Sequence, residues 1–207
     1  TQLFPEGHII NIHPWEHNEV APSLSAALNT EVPIVAIHLT RPPIKIPDRK
    51  ALKMAHHFES SKGAYVIKDF DENKKKEGIV IVRGTSSTNS IVQILPTLKK
   101  SGPNVKIVAA ISWELYKRQD KKYRELIIAP NQWNDTMVIT NGALRLMNNW
   151  ISNPMVKKYS MSPDFDNRWR TGGSVGQIIE ESQLDPASIL NGIKKFAKER
   201  LQRLNKI

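Results

Sequence analysis

The chain has 207 residues, 40% hydrophobic and 24% charged, as in a globular protein of one domain, or of a domain plus a smaller piece. It has no cysteine, which excludes disulfides, thiolate metal sites and a cysteine nucleophile and fits a reducing cytoplasmic setting. No apolar run approaches the roughly 20 residues of a membrane-spanning helix, and no basic-then-apolar leader is present. The sequence starts at Thr1 rather than Met, so it reads as cut from something longer.

Thirty basic residues against 20 acidic ones give a formal charge of +10. The excess is scattered over Lys74–Lys76, Lys117–Arg124 and Lys194–Lys206, and is interleaved with Glu114, Asp120, Glu125 and Glu199 as on solvated helix faces. No stacking aromatics or groove-reading helix accompany it, so neither nucleic acid nor a membrane is the expected partner.

In chain order, residues 8–12 (HIINI) and 33–39 (PIVAIHL) read as short buried strands. Between them Val20, Leu24, Ala27 and Leu28 fall at helical spacing, with Pro22 in the first turn, where its missing N–H matters least. This strand–helix–strand unit is too small to close a core alone. Pro42, Pro43 and Pro47 mark 45–62 as a linker.

From Gly63 a fuller alternation begins. GAYVIK (63–68) and 78–83 read as neighbouring strands joined by a charged turn, and are expected to pair antiparallel. Ile91, Ile94, Leu95 and Leu98 share one helix face, with Pro96 inside the helix and Gly102 at its end. Residues 104–111 give a buried strand, 120–128 a helix and 136–140 the last strand. A helix is expected from Ala143 to Lys158, with Leu144, Met147 and Ile151 inward, and a short one over 174–182. Asp185 caps the final helix with Pro186 in its first position, and Ile189, Ile193, Phe196 and Leu204 line one face. The fold class is α/β: a mostly parallel doubly wound sheet with one antiparallel edge strand, preceded by a β-α-β remnant.

Four constellations can carry chemistry. His13, Glu16 and His17 form H-x-x-E-H, a zinc pattern on a helix, but Pro14 and the preceding strand keep the two imidazoles off a common helical face. A strand-to-helix bend with partly exposed polar side chains is expected instead. Gly84, Thr85, Ser86 and Ser87 join a strand to a helix and form a candidate anion site, although ordinary helix capping explains them as well. Asp164, Asp166, Arg168 and Arg170 read as a salt-bridged loop whose acids the arginines keep ionised. Arg41 ends a strand, where a guanidinium can grip a phosphate bidentately, and it reads equally as a solvated arginine in a proline-rich linker.

Taken in order, HPWEHNEV (13–20), HLTRPP (38–43), KGAYVIKDF (62–70), SWELYKRQDKKYRELIIAP (112–130), FDNRWRTGGS (165–174) and LDPASI (184–189) resemble transketolases, from the end of their pyrimidine-binding domain to the C-terminus. The resemblance implies a remnant of that domain at 1–44, a linker at 45–62 and a transketolase C-terminal domain at 63–207. It implies an enzyme of the pentose phosphate pathway that moves a two-carbon ketol unit between sugar phosphates, with thiamine diphosphate and Mg, as a homodimer of the whole enzyme. Arg41 matches the family's substrate-phosphate arginine, while Pro42 replaces the glutamine that usually follows. The family's Gly-Asp-Gly metal motif is absent here. The chain alone is therefore expected to bind no cofactor or metal, to be inactive, and to need an N-terminal part or subunit. A free-standing anion-binding module, or the matching part of a thiamine enzyme acting on 2-oxo acids, stand as alternatives.

Overall fold

The computed structural model describes residues 4–40, 43–168, 170 and 172–206. Three consecutive apolar pentapeptides form its centre. β4 (Ile79–Arg83), β5 (Lys106–Ala110) and β6 (Thr136–Thr140) run parallel, and every residue in them is buried, as a sheet covered on both faces requires. β3 (Ala64–Lys68) completes the order β3-β5-β4-β6 as an antiparallel edge strand.

Strand periodicity of two divides the core. Val80 and Val82 of β4 face one side, where α2 (Thr85–Ser101) and α7 (Pro186–Lys198) bury Ile91, Leu95, Ile189, Ile193 and Phe196. Ile79 and Ile81 face the other side, toward α3 (Trp113–Lys117), α4 (Lys121–Ile127) and α5 (Pro154–Tyr159), and meet Tyr116, Ile127, Trp150 and Val156. Each such side chain contributes about 1.5–3 kcal/mol by leaving water. Pro96 lies on the exposed face of α2, where water can reach the carbonyl it leaves free.

The first unit is β1 (Ile9–Ile12), a 3-10 turn at His17–Glu19, α1 (Val20–Leu28) and β2 (Ile34–Ile37), with the two strands parallel. Ile10, Ile12 and Ala27 cluster with Leu115 of α3, so this small sheet leans on the larger domain. β1 is wholly buried. β2 was expected to be buried as well, but Ile34 and Ile37 are 42% and 37% exposed because no third strand covers it among the described residues.

The structure corrects further expectations. β3 pairs with β5, not with its sequence neighbour β4. The turn between β3 and β4 passes over the start of β5, where the Asn104 side-chain amide donates to the carbonyls of Asp71 (2.9 Å) and Lys74 (3.1 Å). The helix expected over 143–158 is two elements, a 3-10 helix at Leu144–Trp150 and then α5. Pro154 holds Asn153 in extended conformation, and the Asn153 side-chain oxygen Oδ1 accepts from the N–H groups of Met155 and Val156.

The last helix also divides, into α7 and α8 (Arg200–Leu204). Arg203, rather than Leu204, turns inward; its guanidinium lies 3.6 Å from the Phe196 ring centroid and pairs with Asp135. The expected linker is itself packed: Leu52, Met54 and Ala55 rest on the core, and a 3-10 helix at His57–Lys62 leads into β3. α6 (Val175–Glu181) stands near the expected position, with Ser174 and Gln177 closing a capping box.

Candidate functional site

From β4 the chain crosses to β5 on one side, and it later returns to β6 on the other. The boundary between β4 and β6 is therefore a topological switch point, and open α/β sheets bind ligands outside the carboxyl ends of the strands there. A cleft of about 1190 Å³ opens at this place. Thr85, Ser86 and Asn89 of α2 and Asn141 after β6 form its polar floor. The segment Pro43–Asp48 makes one wall, and Arg168, Arg170 and the apolar side chains of α6 make the other.

Gly84 makes the turn into α2 possible. Its φ is +95°, and a Cβ there would overlap the Asn141 side chain. No side chain caps the first turn of α2; the Thr88 hydroxyl instead donates back to the Gly84 carbonyl at 2.8 Å. Of the four candidate anion-site residues, Thr85 and Ser86 line the cleft and Gly84 lies beneath Asn141. Ser87 is fully buried, and its hydroxyl has no hydrogen-bond partner among the described residues. Arg41 and Pro42 lie outside the described residues, while Thr40 and Pro43 on either side of them line the cleft.

The loop at 163–173 is cross-linked by charge. Arg170 grips Asp166 bidentately, both bonds at 3.0 Å, and Arg168 reaches Glu181 at 2.7 Å. The bond from Arg170 holds the Asp166 carboxyl below its ordinary range, with burial opposing weakly. Asp164 accepts from the Leu144 N–H and the Ser162 hydroxyl. Both acids are occupied in holding the loop.

The H-x-x-E-H residues separate. His13 follows β1, donates its backbone N–H to the Ile111 carbonyl (2.8 Å) and stacks on His38 with ring centroids 4.2 Å apart; His17 is exposed. Among the described residues no three His, Cys, Asp or Glu side chains gather as a metal site.

Of the polar side chains at this bend, His17 is exposed and His13 half-buried, in line with the expectation, whereas Glu16 and Glu19 are buried against Arg49. Arg49 Nη2 donates to Glu19 Oε1 at 2.6 Å and to Glu16 Oε1 at 3.0 Å. Tyr65 donates its hydroxyl to Glu19 and accepts from the Trp15 indole N–H at 2.7 Å. Burial pushes Glu19 up to about 7, against the pull of Tyr65 and Arg49. Sequence reading missed Arg49 altogether, since it sits in a proline-rich stretch far from its partners. The charged residues flanking Trp15 at the head of an apolar helix were the available signal.

The fold is thus a doubly wound domain with its crevice at the switch point and a smaller parallel β-α-β unit docked beside it. Residues 63–161 match the family model of the transketolase-like TK C-terminal domain. Transketolase 7 of Craterostigma plantagineum is 30% identical over 123 residues, which make up 58% of this chain and 17% of that relative. The transketolase from Leishmania mexicana superposes with a TM-score of 0.71 at 13% identity, over 93% of this chain and 26% of that one. A Pichia stipitis transketolase in complex with sedoheptulose-7-phosphate gives 0.66 at 17% identity, over 92% and 25%. The chain therefore spans about a sixth to a quarter of the length of these proteins.

Proposed function

We propose that this chain is the C-terminal portion or subunit of a thiamine-diphosphate-dependent transketolase that moves a two-carbon ketol unit between sugar phosphates. Residues 1–44 belong to its pyrimidine-binding domain, 45–62 to the linker and 63–207 to its C-terminal domain. The carrying observation is that similarity of fold to transketolases extends over 93% of the chain, well beyond the 63–161 match.

The chain contributes scaffold, an assembly surface and Arg41, which grips the substrate phosphate at the mouth of the site. The described residues do not fit the coenzyme. They bring together no carboxylate or imidazole set for the diphosphate's metal, and the acids of the cleft loop are spent on Arg170 and Leu144. Thiamine diphosphate and Mg are accordingly held by an N-terminal part or subunit, within a dimer of the whole enzyme.

Calorimetric titration of thiamine diphosphate with Mg into the chain alone tests this. No saturable heat is expected, with ketol transfer appearing only after the N-terminal part is added. Micromolar binding or turnover by the 207 residues alone overturns it.

A second reading, a free-standing anion-binding module, is favoured by one observation: Thr85 and Ser86 face the cleft at a helix start that no side chain caps. In that case Ser86→Ala weakens phosphate binding and Arg41→Ala is silent.

A further inference from the structure

β4 ends in Arg83, which is only 8% exposed. A guanidinium carries five N–H donors. Among the described residues Arg83 makes one hydrogen bond, from Nη1 to the Leu146 carbonyl at 3.0 Å, and no ion pair. A charge so placed is costly unless something compensates it. Burial pulls Arg83 down to about 10, with Glu114 the opposing influence.

Beside Arg83 lies a cavity of about 30 Å³ between the two sheets, lined also by Asn11, His13, Glu114, Asn149 and Trp113. The cavity opens to solvent past the exposed Asn149 and admits waters or a small anion. The carboxylate on the cavity wall, Glu114, is already engaged. Glu114 accepts from the Asn11 side chain at 3.3 Å and from the Ser112 hydroxyl at 3.1 Å. The Asn11 oxygen is met by His38 at 3.3 Å. The ring nitrogens of His13 have no hydrogen-bond partner among the described residues, and its ring is kept in place by stacking on His38. The unsatisfied groups on this wall are therefore donors or an imidazole able to act as one.

We infer that this cavity binds a monoanion the size of a halide or a single carboxylate group, with Arg83 as the charge partner and His13 and Asn149 as flanking donors. Arg83 and Asn149 belong to the larger domain, and His13 to the β1 unit. The ion therefore fastens the two units at their junction, apart from the cleft over α2.

Chloride NMR line broadening on the full chain tests the site. Saturable excess broadening is expected, displaced by formate and by bromide. Bromide is also expected to alter the emission of Trp113 and Trp150 at the cavity wall. Arg83→Gln lowers the affinity at least about tenfold, as loss of a charged hydrogen-bond donor does. Absence of excess broadening in the folded chain means that water alone fills the cavity and overturns the proposal. Undiminished broadening in Arg83→Gln does the same. Should that variant fail to fold, Asn149→Asp decides, because position 149 is exposed and a carboxylate there repels the anion. Lost broadening supports the site, and unchanged broadening overturns it.

Discussion

Arg49 and Glu19, thirty residues apart, meet at 2.6 Å with the glutamate side chain wholly buried and the arginine side chain 10% exposed. The pair joins the connector to the head of α1, and Tyr65 adds the first strand of the larger domain to the same cluster. Removing one member leaves the other buried without its counter-charge. Arg49→Met is expected to destabilise the chain by about 3–5 kcal/mol in urea unfolding. The double variant Arg49→Met with Glu19→Gln is expected to recover part of that loss. Equal stability of the single variant and the parent would show that the cluster contributes nothing.

Asp135 holds a second buried charge cluster. It accepts from Arg200 Nε at 2.6 Å and pairs with Arg203, whose guanidinium covers the Phe196 ring. Asp135→Ala strands Arg203 among apolar groups and is expected to cost about 3–5 kcal/mol. Amide hydrogen exchange in α8 is expected to accelerate more than in β4, because α8 is tied down mainly through this contact.

Gly84→Ala meets two obstacles, a positive φ and the Asn141 side chain. A loss of about 1–3 kcal/mol is expected by thermal unfolding. Gly84→Ala with Asn141→Ala is expected to regain the steric share but not the conformational one. Full recovery would place the whole penalty in the overlap.

His13 gives the chain a dependence on acid. Burial, Arg83 and then His38 hold its imidazole well below 6.5. The unfolded chain takes up a proton near 6.5 while the folded chain does not, so this stabilisation is complete above that pH and declines as pH falls below it. His13→Gln is expected to flatten the stability profile between about pH 6.5 and 5, read by denaturant midpoints at fixed salt. A profile as steep as the parent's would assign the acid dependence to other groups.

The covered sheet and its long helices were legible because burial writes itself into short periods. Ile79 to Val82 is a continuous apolar run, and Ile91, Ile94, Leu95 and Leu98 repeat at helical spacing. Pairing across long separations was not legible. Nearness in sequence favoured β3 beside β4, whereas Asn104 anchors the intervening turn across β5. Buried charges were missed for a related reason: Arg49 and Arg203 look solvated until partners from distant segments arrive. For the candidate site, the Gly84 turn was visible as a strand-to-helix junction. The opposite wall, from α6 and the connector, depends on tertiary packing that no local pattern announces.

The bare flank of β2 bears on how a cell handles this polypeptide. Ile34, Ile37 and Leu39 offer a greasy, unpaired ribbon to any passing chain. An edge of this kind favours self-association, so soluble yield is expected to fall as the concentration of the chain rises.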